Sequence, residues 1–184
     1  MEILETSLPG VLLIKPRVFG DARGFFLETW AAERYERAGV SGPFVQDNLS
    51  RSSRGVLRGH HHHHPFAQGK HVSDADGELY DVCADVRAGS PTFGKWYGCH
   101  LSGENHHQLY IPPGFVHGFC VLRDDTLFSY KCTVPYHPEA ELGVRWDDPD
   151  LGITWPLADP IVSAKDSKLA RLAEIDTARL PSFR

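Results

Sequence analysis

Short runs rich in Val, Ile, Phe, Tyr and Trp recur along the whole chain, and most are bounded by Gly, Pro, Asp or Asn. They are Gly10–Pro16, Arg23–Thr29, Gly55–Arg58, Glu78–Val86, Phe93–Leu101, Gln108–Ile111, Phe115–Leu122, Thr126–Thr133 and Gly143–Trp146. β-branched and aromatic side chains suit a pleated, half-buried surface, so each run reads as a strand. Many short strands at this spacing predict a β-sandwich or barrel. Helix candidates are few. Trp30–Ala38 is closed by Gly39, a good C-terminal cap, and Ser167–Ala173 is a weaker second. No linker, repeat or break in composition divides the chain. The expectation is an all-β protein with a few short helices, one domain over residues 1–184.

Composition narrows the function classes. Nineteen Lys and Arg against 24 Asp and Glu leave a net charge of 19 − 24 = −5. A negative field is attracted neither to nucleic acid nor to an anionic membrane, so neither is an expected partner. The N-terminus MEILETSLPG has acids where a signal peptide needs positive charge, and no apolar run approaches a membrane span of ~20 residues. A cytoplasmic location is expected. The four Cys form no C-x-x-C pair, and Cys83, Cys99, Cys120 and Cys132 all lie in apolar runs. They read as buried thiols rather than as a zinc site or a disulfide scaffold. Histidine is in excess: there are 11, five of them consecutive from His60 to His64.

Polar residues gather in four places that a plain β core would not need. Gly20–Glu28 carries Arg23 and Glu28 within an aromatic run. Gln46-Asp47-Asn48 precedes Gly55–Gly59 and the His run. Ile111–Phe119 sets a Pro-Pro-Gly turn before a strand holding His117. The last place joins Tyr130-Lys131, Tyr136 and Glu141 to the later pair Lys165-Asp166. Along a strand, alternate residues share a face, so His61 and His63 face one way and His60, His62 and His64 the other. His61-x-His63 and His117 could supply three imidazoles to a metal. The stretch after them, His64–Lys70, holds no acid and ends in a lysine that repels a cation, so no metal site is expected.

Seven segments then converge on a family: D-A-R-G-F-F-L-E, V-Q-D-N-L-S, G-V-L-R-G, Q-G-K, D-V-R-A-G-S-P-T-F-G-K-W, L-Y-I-P-P-G-F-V-H-G-F and R-W-D-D-P-D-L-G-I-T-W-P. From about Leu13 to about Lys168 the chain resembles the dTDP-4-dehydrorhamnose 3,5-epimerases. The resemblance implies a cupin-type jelly-roll β-sandwich, a homodimer, and a dTDP-linked 4-keto-6-deoxy sugar as substrate. It implies no metal and no organic cofactor.

It also implies roles for particular residues. A 4-keto group acidifies the protons at C3 and C5, so a base on one side and an acid on the other suffice to invert a centre. The base of the family's Leu-Arg-Gly-x-His motif falls on His61, its carboxylate partner on Asp166, and the acid on Tyr130. Lys70 falls near the enolate oxygen, with Asp81 expected to orient it. Arg23 and Arg58 match arginines that hold the diphosphate, for which a guanidinium fork is well suited. Glu28, Gln46, Asp47 and Asn48 match the polar segment around the nucleotide, part of it from the dimer mate. His117, Glu141 and Lys165 match further substrate contacts. Tyr136 matches the ring that stacks on thymine.

The chain departs from the family pattern beside the base. Where the family usually has Leu, His, an aromatic and Gln, this chain has His60-His61-His62-His63. Where it has Lys-Leu-Val-Arg, this chain has Lys70-His71-Val72-Ser73. These changes leave open whether both carbons or only one are inverted. A 3,4-ketoisomerase and a non-catalytic sugar-nucleotide-binding or metal-binding cupin are the competing readings. The Arg-Trp-Asp-Asp segment and the Lys165-Asp166 pair favour the epimerase.

Overall fold

In a computed structural model, which describes residues 1–183, fourteen strands account for most of the regular structure. In chain order they are β1 (Glu2–Glu5), β2 (Leu12–Lys15), β3 (Val18–Asp21), β4 (Gly24–Leu27), β5 (Gln46–Ser52), β6 (Val56–His63), β7 (Lys70–Asp76), β8 (Glu78–Asp85), β9 (Trp96–Ser102), β10 (Gln108–Ile111), β11 (Phe115–Val121), β12 (Thr126–Cys132), β13 (Glu141–Gly143) and β14 (Ile161–Val162). One helix, α1 (Ala32–Arg37), lies between β4 and β5.

Two sheets face each other. The first runs β1-β2-β10-β7-β12-β5, and the second β13-β6-β11-β8-β9, with β14 parallel to β6. Successive strands cross between the sheets, as in a jelly roll. The core is the apolar layer between them. Val72, Leu109, Ile111 and Phe128 from the first sheet meet Leu79, Leu101, Phe115, Phe119 and Val121 from the second. This is a β-sandwich, as the strand pattern predicts, and of the cupin type that the resemblance implies. Among the described residues no helix is long and apolar enough to cross a membrane.

The nine expected strands are all present, with shifted ends. β6 runs on through the His run to His63, and the last expected strand, Gly143–Trp146, is instead Glu141–Gly143. α1 is shorter than Trp30–Ala38, and Gly39 caps it with a left-handed φ of 93°. The second expected helix breaks into two 3₁₀ turns, Asp166–Lys168 and Leu172–Glu174, because Leu169 and Arg171 are extended between them. Five strands carried no run of strand formers: β1, β3, β5, β7 and β14. Of the four thiols, Cys83, Cys120 and Cys132 are buried as expected, but Cys99 is only partly so.

Strands β3 and β4 form a separate hairpin that leaves the sandwich. Its side chains pack on little. Phe19, Phe25 and Phe26 are 50%, 61% and 71% exposed. That is a large apolar surface for one projecting ribbon.

Candidate active site

Strand β6 sits in the second sheet between β13 and β11, and this places the His run. His61 lies opposite His117 on β11 and Gly143 on β13, while His63 lies opposite Glu141. The β6–β11 register shifts between His117 and Phe119. There Gly59, with φ of 114°, passes so close to β11 that a Cβ would stand 2.5 Å from the Cα of Gly118. Only glycine permits that approach. Alternation holds as expected beyond it: His61 and His63 line the cavity, whereas His60 is sealed against Trp155 with ring centroids 5.4 Å apart.

The cavity lies between the sheets and has two adjoining chambers. The larger, about 520 Å³, is walled by β6 and β11 on one side and by Lys70, Phe128 and Tyr130 on the other. The smaller, about 290 Å³, shares His61, Lys70 and Tyr130 and adds Gln46, Asn48, Tyr136 and Glu141. His61 and Tyr130 therefore face the same space from opposite sheets.

His61 is held by a carboxylate. Its Nε2 donates to Oδ1 of Asp166 at 2.7 Å, and Nδ1 stands 3.4 Å from Oε1 of Glu141. Asp166 is buried, which by itself would raise its pKa. Hydrogen bonding and charge attraction from His61, with bonds from the Gly59 N–H and Ser163, overcome this and hold it below the ordinary carboxylate range. The 3₁₀ turn that begins at Asp166 brings it there, with the Asp166 N–H donating to Ser163 Oγ at 3.0 Å. Burial pushes the Tyr130 phenol up, which keeps it a proton donor at neutral pH. Burial also lowers Lys70, against the pull of Cys132, Asp81 and Glu141.

His117 forms the floor. Its Nε2 donates to both oxygens of Asp81, at 2.9 and 3.1 Å. Asp81 is thus bonded directly to His117, one strand away on β11, while its charge also acts on Lys70 across the cavity. Burial dominates and lowers the His117 pKa, although Asp81 opposes it.

The remaining expected residues divide. Arg58 lines the larger chamber and bonds Ser52 at 3.2 Å through Nη2. Lys165 lines it too and pairs with Glu141. On β5 the burial alternates, so Gln46 and Asn48 face the cavity and Asp47 turns outward to Lys131 at 2.8 Å. Tyr136 is anchored twice: its N–H donates to Gln46 Oε1 at 2.8 Å and its hydroxyl to Glu141 Oε2 at 2.6 Å. Arg23 and Glu28 are not brought to this cavity within one chain. Arg23 sits at the hairpin turn, bonded to Asp21 at 2.6 Å, and Glu28 pairs with Arg34 at 3.0 Å. Sequence reasoning missed Ser50, Phe128, Ser163 and Gln68. The Gln68 amide donates to the carbonyls of Val134 and Pro135, fixing the loop that carries Tyr136. Nothing in its one-residue signal announces that role. Among the described residues, no group of three or more His, Cys, Asp or Glu is arranged around a metal position.

A carboxylate-held imidazole on one wall and a half-buried phenol on the other suit an enzyme that moves protons at a carbon centre; on this sandwich they define a sugar-epimerase site. The chain belongs to the dTDP-4-dehydrorhamnose 3,5-epimerase family, whose model matches residues 5–174. A curated dTDP-4-dehydrorhamnose 3,5-epimerase of Shigella flexneri is 47% identical over 178 residues, covering 96% of this chain and 98% of that one. A crystal structure of dTDP-6-deoxy-D-glucose-3,5-epimerase from Legionella pneumophila, in complex with dTDP-4-keto-L-rhamnose, aligns with a TM-score of 0.97 at 48% identity. It covers 100% of this chain and 98% of that one. A dTDP-4-dehydrorhamnose 3-epimerase of Streptomyces niveus is 37% identical, covering 100% of this chain and 90% of its own length.

Proposed function

We propose that this chain converts dTDP-4-dehydro-6-deoxy-D-glucose to dTDP-4-dehydro-L-rhamnose by inverting C3 and C5. The observation that carries the reading is the placement of His61 and Tyr130 on opposite walls of one cavity. His61 takes the proton from the carbon next to the ketone, and the bonding pair moves to the carbonyl oxygen as an enolate. Tyr130 returns a proton to the other face, so the centre inverts. Asp166 fixes the imidazole tautomer and offsets the charge the ring gains. Lys70, which borders both chambers, stabilises the oxyanion. Tyr136, with Gln46 and Asn48, receives the nucleotide, and Arg58 the diphosphate.

Arg23 and Glu28 act in a second copy of the chain. The projecting β3–β4 hairpin and its exposed phenylalanines suit an arm laid on a partner in a homodimer. In that arrangement Arg23→Ala and His61→Ala chains, each impaired alone, complement one another when mixed. About half the dimers are then mixed and carry one intact site of two, so roughly a quarter of wild-type activity returns. Mixtures no more active than their components would place Arg23 outside the site.

The test of the reaction is proton exchange in D₂O, followed by NMR on the dTDP-4-keto-6-deoxy sugar. Two deuterons enter, at C3 and C5, and the carbonyl stays at C4. Incorporation at one carbon would make the chain a single-centre epimerase, which the Streptomyces niveus relative's name and the altered residues beside the base keep in view. A carbonyl moved to C3 would mean a ketoisomerase.

A further inference from the structure

Both nitrogens of the catalytic imidazole face carboxylates. Asp166 holds Nε2 at 2.7 Å, and Glu141 stands 3.4 Å from Nδ1. These two acids come from different places. Asp166 follows β14, whereas Glu141 opens β13, beside His63 on β6. Glu141 is itself gripped, since its other oxygen accepts from the Tyr136 hydroxyl at 2.6 Å and pairs with Lys165. Burial would raise its pKa, but Lys165, Tyr136 and His61 hold it below the usual glutamate value, so it is an anion at neutral pH. One carboxylate thus touches both the base and the aromatic platform proposed for the nucleotide.

We infer that Glu141 is a positioning residue for the His61 base: its carboxylate stands beside Nδ1, on the side opposite Asp166, where it favours the imidazolium formed when the ring takes up a proton, and it ties this position to the Tyr136 platform. The inference rests on the epimerase reading and deepens it: beyond contacting substrate, Glu141 sets the charge and angle of the base. Other charged or titratable groups face His61 from every side. Lys70 comes from β7, Tyr130 from β12, His117 with Asp81 behind it from β11 and β8, His63 from its own strand, and Arg58 and Lys165 from the rim, while the neighbouring His60 is turned to the other face. Among the described residues, Asp166 and Glu141 are the two anions within 4 Å of the ring.

The experiment is the pH profile of kcat/KM for deuterium exchange, compared for wild type, Glu141→Gln, Glu141→Asp and Tyr136→Phe. The base must be unprotonated to act, so the acid limb of the profile reports its protonation. Removing an anion 3.4 Å from the ring disfavours the imidazolium, and the limb in Glu141→Gln moves to lower pH by about one unit. Glu141→Asp keeps the charge and leaves the limb nearer its wild-type position. Tyr136→Phe also keeps the carboxylate, so its KM rises without a comparable displacement of the limb. A residue that only binds nucleotide would raise KM in Glu141→Gln and leave the limb in place. That result, or a shift to higher pH, overturns the inference. Binding of dTDP to each variant, measured by calorimetry, confirms that the folded site survives. If wild type exchanges no deuterium, the epimerase reading itself fails, and that outcome is distinct from an unmoved limb.

Discussion

His61→Ala lowers the rate of deuterium exchange at both carbons by about 10³-fold, while dTDP still binds with near wild-type affinity. General-base catalysis by a positioned imidazole is worth about 10²–10⁴-fold. The upper part of that range applies because no neighbouring residue is placed to substitute. His117 is committed to Asp81 by two hydrogen bonds, and His63, at the edge of the smaller chamber, packs edge-on against Tyr136 with both ring nitrogens buried. Asp166→Asn isolates the second half of the pair. An asparagine amide can donate to the imidazole and so stabilise the wrong tautomer, which costs about 10²-fold or more. Lys70→Met is expected to fall between them, since the enolate loses its cation but keeps its base. Stopped deuterium uptake, read by NMR alongside calorimetric dTDP binding, separates these effects. A His61→Ala enzyme that kept a tenth of the wild-type exchange rate would exclude His61 as the base.

How much of this was readable differs between fold and site. Strand runs such as Glu78–Val86 and Phe115–Leu122 announced themselves because both faces are apolar and buried, and β8 and β11 lie inside the second sheet. β5 and β7 did not. Gln46–Ser52 alternates between a cavity face and a solvent face, so nearly every side chain is polar. Lys70–Asp76 lies at the centre of the first sheet yet carries Lys70 into the cavity and His71 against Gln108, where Nε2 donates at 3.0 Å. Functional positions remove the apolar signature by which strands are recognised. The site has the opposite difficulty. His61, Lys70, Tyr130 and Asp166 lie on three strands and one short turn, separated by up to 105 residues. No spacing rule links them. Resemblance to a family did so, and it could not tell that Asp81 also holds His117 by two hydrogen bonds. Nor could one chain show Arg23 near the cavity, because the hairpin that carries it is a separate sheet and Arg23 is exposed there, bonded to Asp21.

The excess histidines carry the second large effect, on stability in acid. His60, His62 and His71 are at most 4% exposed, and both ring nitrogens of His60 and His62 lack any partner. Burial, the main cause for each, lowers their pKa values to about 3, about 4 and about 4. The unfolded chain takes up protons near pH 6.5, where the folded protein cannot. The stability these groups contribute is therefore present above about pH 6.5 and is lost as pH falls through 6.5 towards 4. Between pH 7.5 and 5.5 three such histidines together cost about 4 kcal/mol. Asp74 opposes them: burial raises its carboxyl to about 6, so the folded state binds a proton first, which returns about 1 kcal/mol. A net loss of about 3 kcal/mol remains, which for a chain of this size lowers Tm by roughly 10 °C. His60→Leu restores the residue the family usually has there and removes two unpaired buried nitrogens. It raises stability at pH 7.5 by about 1–3 kcal/mol, and by a further ~1 kcal/mol at pH 5.5. Scanning calorimetry at the two pH values measures both quantities. A wild-type Tm that stays level from pH 7.5 to 5.5, or a His60→Leu gain that is the same at each, would show that these rings are not buried in the neutral form.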